Sequence, residues 1–161
     1  MIVVMGCGNA ARSDDGVGPA VVRALACRPI ANDPDVRLLD AGTDGMAVLF
    51  AARGCEVLLI VDASRSGAEP GAVFEVPGDE LERQHQNSLT LHDFRWDHAL
   101  YAARRMFGAS FPTMVKVLLV EANTVQFGLE LSPVVAASAE KVADRIETLV
   151  QAYLHERAHV A

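Results

Sequence analysis

Four aspartates and one histidine stand where this chain can do chemistry. Asp14 and Asp15 follow a glycine loop, Asp40 and Asp62 each close an apolar run, and His92 precedes a helical stretch. Two carboxylates and an imidazole make a hard-to-borderline ligand set, suited to nickel, zinc or a similar divalent ion with positions left open for substrate or water. Asp62 is the most telling of them. It directly follows the continuous apolar run Val57 to Val61, and an unpaired charge buried there would cost several kcal/mol, so it belongs at a strand tip in a crevice. A second chemistry is also written in the first loop: Gly6, Gly8 and Ala11 fit G-x-G-x-x-[G/A], and Asp40 stands where a ribose acceptor would. Its charges oppose that reading, because Asp14 and Asp15 occupy the helix start where a pyrophosphate needs positive dipole.

The elements that must position these residues follow from hydrophobic period and turn chemistry. Ile2 to Met5 is a short, β-branched apolar run and reads as a strand buried on both faces. Ser13 is placed as an N-cap, and Val17, Ala20, Val21, Ala24 and Leu25 recur at helical spacing, predicting a helix from about Asp14. Val36 to Leu39 forms a second strand, ended by the turn-rich Asp40-Ala41-Gly42-Thr43-Asp44-Gly45 before a short helix with Met46, Leu49 and Phe50. After the third strand, Val57 to Val61, a connection of about ten residues leads to Ala72 to Val76, too short for a helical crossover. That strand is expected to be antiparallel or at an edge.

Pro77 to Leu91 is polar and reads as a loop, leading into a helix with Leu100, Ala103 and Met106 on its apolar face. On this helix His98 is expected to be solvated or capping, and Trp96 to pack against the sheet. Val115 to Val120 is the last strand, with Glu121 and Asn123 at its tip. Ser132 and Pro133 start a final helix running to about Leu154, with a frayed tail through Arg157 and His159. Strands alternating with helices predict one α/β domain over residues 1–161: a three-layer sandwich with a mainly parallel, twisted sheet of about five strands and helices on both faces. With its first three strands parallel, Asp15, Asp40 and Asp62 arrive at one sheet edge, within reach of His92.

Composition narrows the partners. A net charge of -7 over 161 residues lacks the basic face that nucleic acid or an anionic membrane requires. Met1 leads straight into the first strand, without signal-type or spanning segment, which predicts a cytoplasmic protein. Cys7, Cys27 and Cys55 have neither C-x-x-C spacing nor a nearby histidine, so they are expected to be reduced and metal-free, with Cys7 filling a tight turn.

Gly6-Cys7-Gly8-Asn9 followed by Arg12-Ser13-Asp14-Asp15-Gly16-Val17-Gly18 resembles the opening signature of the hydrogenase maturation proteases, endopeptidases that trim the C-terminus of the large subunit of [NiFe] hydrogenases. The resemblance extends through nearly the whole chain. It implies that Asp15, Asp62 and His92 form the metal-binding and catalytic cluster. It also implies that Asp40, Gly42, Thr43 and Gly45 match the family's substrate-recognition motif, with Asp44 an added negative charge in that loop. The implied partner is the [NiFe] hydrogenase large-subunit precursor. Nickel would be supplied by that substrate, no nucleotide would be used, and water would attack one peptide bond with metal or aspartate assistance. There are two rival classes: a non-catalytic nickel-sensing or chaperone protein for the precursor, using the same cluster without hydrolysis, and a dinucleotide-binding enzyme. Against the last, NAD and nucleoside phosphates are expected to bind poorly in calorimetry. Saturable micromolar NAD binding that is lost on changing Gly8 is the contrary result.

Overall fold

The computed structural model describes residues 1–81 and 95–160. Its centre is a five-stranded sheet of β1 (Ile2–Cys7), β2 (Val36–Gly42), β3 (Val57–Ser64), β4 (Val73–Pro77) and β5 (Met114–Glu121), in the order β2-β1-β3-β5-β4. The pairs β1–β2, β1–β3 and β3–β5 are parallel, and β4 returns antiparallel along the edge of β5. The short β3–β4 connection thus has the predicted effect, and the α/β sandwich is the architecture expected from the sequence.

Period-2 alternation divides the core in two. Ile2, Val4, Val57, Leu59, Val61, Leu118 and Val120 face α1 (Val17–Ala26) and α5 (Pro133–Val160). Val3, Met5, Leu58, Ile60 and Val117 face α2 (Gly45–Ala52) and α4 (Trp96–Phe107), while α3 (Gly78–Leu81) is a single turn after β4. The central strands β1 and β3 are buried on both faces over most of their length, which is why they are apolar runs rather than alternating ones.

After β1 the chain moves to one side of it to make β2, then crosses to the other side to make β3. The β1/β3 boundary is therefore the switch point of the topology, and a crevice opens there at the carboxyl ends of the strands. The first loop, after β1, and Asp62, near the end of β3, flank it. Glycine at positions 6 and 18 permits the helix behind that crevice to lie close against the sheet. A Cβ at Gly18 would come within 2.2 Å of the Cys7 carbonyl oxygen, and one at Gly6 within 2.3 Å of the Gly18 carbonyl oxygen.

Four local expectations are corrected. The first α-helix begins at Val17, after a 3-10 turn over Ser13–Gly16, and Ser13 makes no capping bond; it has φ 48° and its hydroxyl donates to the Gln126 carbonyl. Met106 is 67% exposed, because the buried face of α4 is Trp96, Ala99, Leu100 and Ala103. The final helix continues to Val160 rather than fraying after Leu154, with Tyr153 donating to Glu56 and Arg157 paired with Asp35. The loop expected over Pro77 to Leu91 holds the end of β4 and α3; from residue 82 it lies outside the described residues.

Glu121, at the tip of β5, fixes the chain as it leaves β3. Its carboxylate accepts from the Ser64 and Ser66 hydroxyls and from the backbone N–H groups of Ser66 and Gly67. These donors, the Ser66 N–H first and the Ser64 hydroxyl next, hold its pKa down at about 2 from 4.5. A carboxylate depressed in the folded state contributes stability that is complete above its unfolded value and disappears as pH falls through the folded one. Denaturant titrations are therefore expected to show Glu121→Gln less stable than wild type above about pH 4.5, with the gap closing toward about pH 2.

Candidate functional site

Adjacent in sequence, Asp14 and Asp15 have opposite surroundings. Asp14 is fully buried. Its Oδ2 accepts from the backbone N–H groups of Asn123 and Thr124, both at 2.9 Å, and from the Ser132 hydroxyl at 2.9 Å; its Oδ1 accepts from the Ser132 N–H at 2.6 Å. Backbone bonds repeat the connection, Ser13 N–H to the Gly128 carbonyl and Gly128 N–H to the Ala11 carbonyl. Asp14 thus ties the first loop to the segment between β5 and α5, leaving Asp15 to face the crevice. Ser132 serves this carboxylate with its hydroxyl, while its carbonyl accepts the Ala136 N–H in the first turn of α5.

Asp15 and Asp62 line one cleft of about 160 Å³, together with Cys7, Gly8, Gly42, Thr43, Asp44, Gly45, Arg95 and Trp96. That volume takes a few waters or one residue of an extended chain, and a second recess of about 510 Å³ shares Asp15, Asp62, Arg95 and Trp96 with it. The loop's own N–H groups are engaged: Gly8 N–H bonds the Gly42 carbonyl, and Asn9 N–H bonds Asp15 Oδ2 at 2.9 Å. With carboxylates in the place of phosphate, the G-x-G geometry here orients an acid rather than a pyrophosphate. Gly8 has φ 121°, and a Cβ there would come within 1.8 Å of the Asp15 carbonyl oxygen, so glycine is required for this approach.

Asp62 lies in β3 and is 5% exposed, more enclosed than a strand-tip position suggests. Ala63 N–H donates to its Oδ1 at 2.9 Å and the Trp96 indole N–H to its Oδ2 at 2.6 Å, with Arg95 Nη2 at 3.4 Å from Oδ2. Burial pushes its pKa up and neighbouring Asp15 adds to this; the indole, the Arg95 charge and the Ala63 N–H act in the opposite direction. Cys7 is also held strongly protonated, by burial first and by the Asp62 charge second, so its thiol is a packing group rather than a nucleophile.

Gly42, Thr43 and Gly45 form the wall facing Arg95 and Trp96. Asp44 caps α2, accepting the Met46 N–H at 2.9 Å, which accounts for a carboxylate in that loop. Asp40 stands apart from the cleft. It is exposed, accepts the Gly42 N–H at 2.9 Å, and borders a shallow recess with Asn9, Ala10, Pro19, Gly42 and Thr43 on the other side of the loop. His92 lies outside the described residues. His98, expected to be solvated or capping, is not solvated: its side chain is 15% exposed and borders the second recess, shared with Asp15, Asp62 and Trp96.

Two carboxylates lining one cleft and acting on each other electrostatically have the chemistry to attract a divalent cation, since like charges are relieved by a shared positive charge. Among the described residues no group of three His, Cys, Asp or Glu donors converges. Also among the described residues, no helix is long and apolar enough to cross a membrane.

An α/β enzyme with an acidic cleft at its topological switch point is the class defined by this geometry. The hydrogenase maturation protease family profile matches residues 19–149, and the chain belongs to that family. It is 30% identical to the hydrogenase 2 maturation protease of Escherichia coli (strain K12) over 98% of each chain, and 32% identical to a hydrogenase expression/formation protein of Thiocapsa roseopersicina, covering 99% of this chain and 70% of that one. Among solved structures it is similar to the hydrogenase maturating endopeptidase HybD from E. coli, with a TM-score of 0.79 and 27% identity over 94% of this chain and 93% of that one. The chain is thus a hydrolase, an endopeptidase of hydrogenase maturation, from the family that processes the C-terminus of the hydrogenase large subunit.

Asp14→Asn is expected to lower unfolding stability by about 2 to 4 kcal/mol, because Asn offers one acceptor oxygen where four donors converge and adds an N–H₂ among them. Chemical denaturation measures it. A loss below about 0.5 kcal/mol would show that the buried carboxylate does not secure the loop.

Proposed function

We propose that the chain cuts the C-terminal extension from a nickel-loaded [NiFe] hydrogenase large-subunit precursor, with Asp15, Asp62 and His92 receiving the nickel that the precursor carries. The observation carrying this reading is the shared cleft: Asp15 and Asp62 line one open cleft at the strand carboxyl ends, together with the glycine-rich segment Gly42, Thr43 and Gly45. Nickel in the substrate supplies positive charge that polarises water or the scissile carbonyl. The chain's own residues provide the rest. Asp15 and Asp62 draw that charge to the switch point. The Gly42-Thr43-Asp44-Gly45 loop lets a substrate backbone come close because two of its residues lack a side chain. The cleft beside this loop has room for one residue of an extended segment. Asp40, on the outer side of the same loop, is placed to contact the precursor beyond the scissile bond.

Incubating the protein with apo and nickel-loaded precursor, read by mass spectrometry, tests this. Only the nickel-loaded form is expected to be cleaved. His92→Ala and Asp62→Asn are expected to abolish cleavage while circular dichroism remains native, whereas Asp40→Ala weakens it and recovers at high precursor concentration. Equal cleavage of the apo precursor, or full activity of His92→Ala, would overturn the nickel-dependent reading.

A further inference from the structure

Trp96, the only tryptophan in the chain, opens α4 beneath the cleft. Its indole N–H and the Asp62 carboxylate are both enclosed, at 7% and 5% exposure, and they meet at 2.6 Å. Each relieves a cost for the other, since a buried indole needs an acceptor and a buried carboxylate needs donors. The two oxygens of Asp62 are thereby made unequal. Oδ2 is held on the α4 side by the indole. Oδ1 accepts the Ala63 N–H and lies toward the first loop, where a Cβ on Gly8 would stand 3.5 Å from it. Arg95 also approaches Oδ2, but at 3.4 Å and with a side chain 65% exposed it is screened by water and makes a weaker restraint. A partial turn of the carboxylate about its Cβ–Cγ bond would break the indole bond, so the ring holds the plane of the group.

We propose that Trp96 is a positioning residue: by engaging one carboxylate oxygen of Asp62 it fixes the plane of the group, so that the other oxygen faces the first loop and the cleft, and it acts on the reaction only through that orientation. The part concerning the reaction rests on the function proposed above; the orientation rests on the geometry alone. It differs from the packing role expected of this residue, in which any large aromatic ring would serve equally.

Trp96→Phe keeps an aromatic ring and removes the donor. Should it fold poorly, 3-benzothienylalanine at position 96 preserves the shape of the indole and replaces N–H by sulfur. In wild type the single indole ¹⁵N–¹H resonance is expected to be protected from solvent exchange and to move on Asp62→Asn. With nickel-loaded precursor, kcat of the folded donor-free variant is expected to fall about 10- to 100-fold with KM within about twofold, the usual cost of losing a supporting hydrogen bond behind a ligand. An indole proton exchanging at the rate of an exposed tryptophan, or a folded donor-free variant with wild-type kcat, overturns the proposal. If wild type cleaves no precursor, the proposed function fails and the catalytic half of this inference with it, while the indole resonance still decides the orientation.

Discussion

A buried carboxylate with four donors is the interaction on which the site depends. Asp14 carries its charge in the interior, and the backbone N–H groups of Asn123, Thr124 and Ser132 with the Ser132 hydroxyl replace its hydration. Such an arrangement tolerates little displacement, since a donor that moves away leaves a desolvated charge behind. The first loop therefore has a defined position relative to β5 and α5, more than 100 residues away in sequence. Asp15, the next residue, inherits that position.

Close approach of α1 to the sheet is the second constraint. Glycine at positions 6 and 18 brings backbone against backbone, and Gly8 brings the loop back over β1. The crevice at the carboxyl ends of β1 and β3 is walled by main chain and short side chains on the loop side and by Arg95 and Trp96 on the other.

The strands were legible because their burial repeats along the chain: apolar runs for the doubly buried β1 and β3, and a short connection before the antiparallel β4. The meeting of Asp15 with Asp62 followed from parallel strands with carboxylates at their ends. What distinguishes Asp14 from Asp15 was not legible, because the partners of Asp14 come from the β5–α5 segment and no local pattern announces them. The Trp96–Asp62 bond was hidden for the same reason, joining residues 34 apart. Asp40 shows how far parity can be taken: it pairs with Gly6 in β2, so its side chain shares the α1 face while Ala41 is buried on the other. Period-2 reading already carried that information, although placing all three aspartates at one edge concealed it. Ser13 and Met106 were misread because a good capping residue and a helical spacing state what a residue is able to do, whereas the tertiary contacts decide.

The two-sided core has a consequence for how the site responds to sequence change. Asp15 is held through Asp14 and Ser132 by the α1/α5 layer, whereas Asp62 is held through Trp96 by the α2/α4 layer, and the sheet separates the two apolar clusters. Each acid answers to its own half of the interior. A cavity opened under α5 loosens one wall of the cleft and leaves the other in register, and one opened under α4 does the reverse. Substitutions in the two apolar clusters therefore reach the two acids by separate routes.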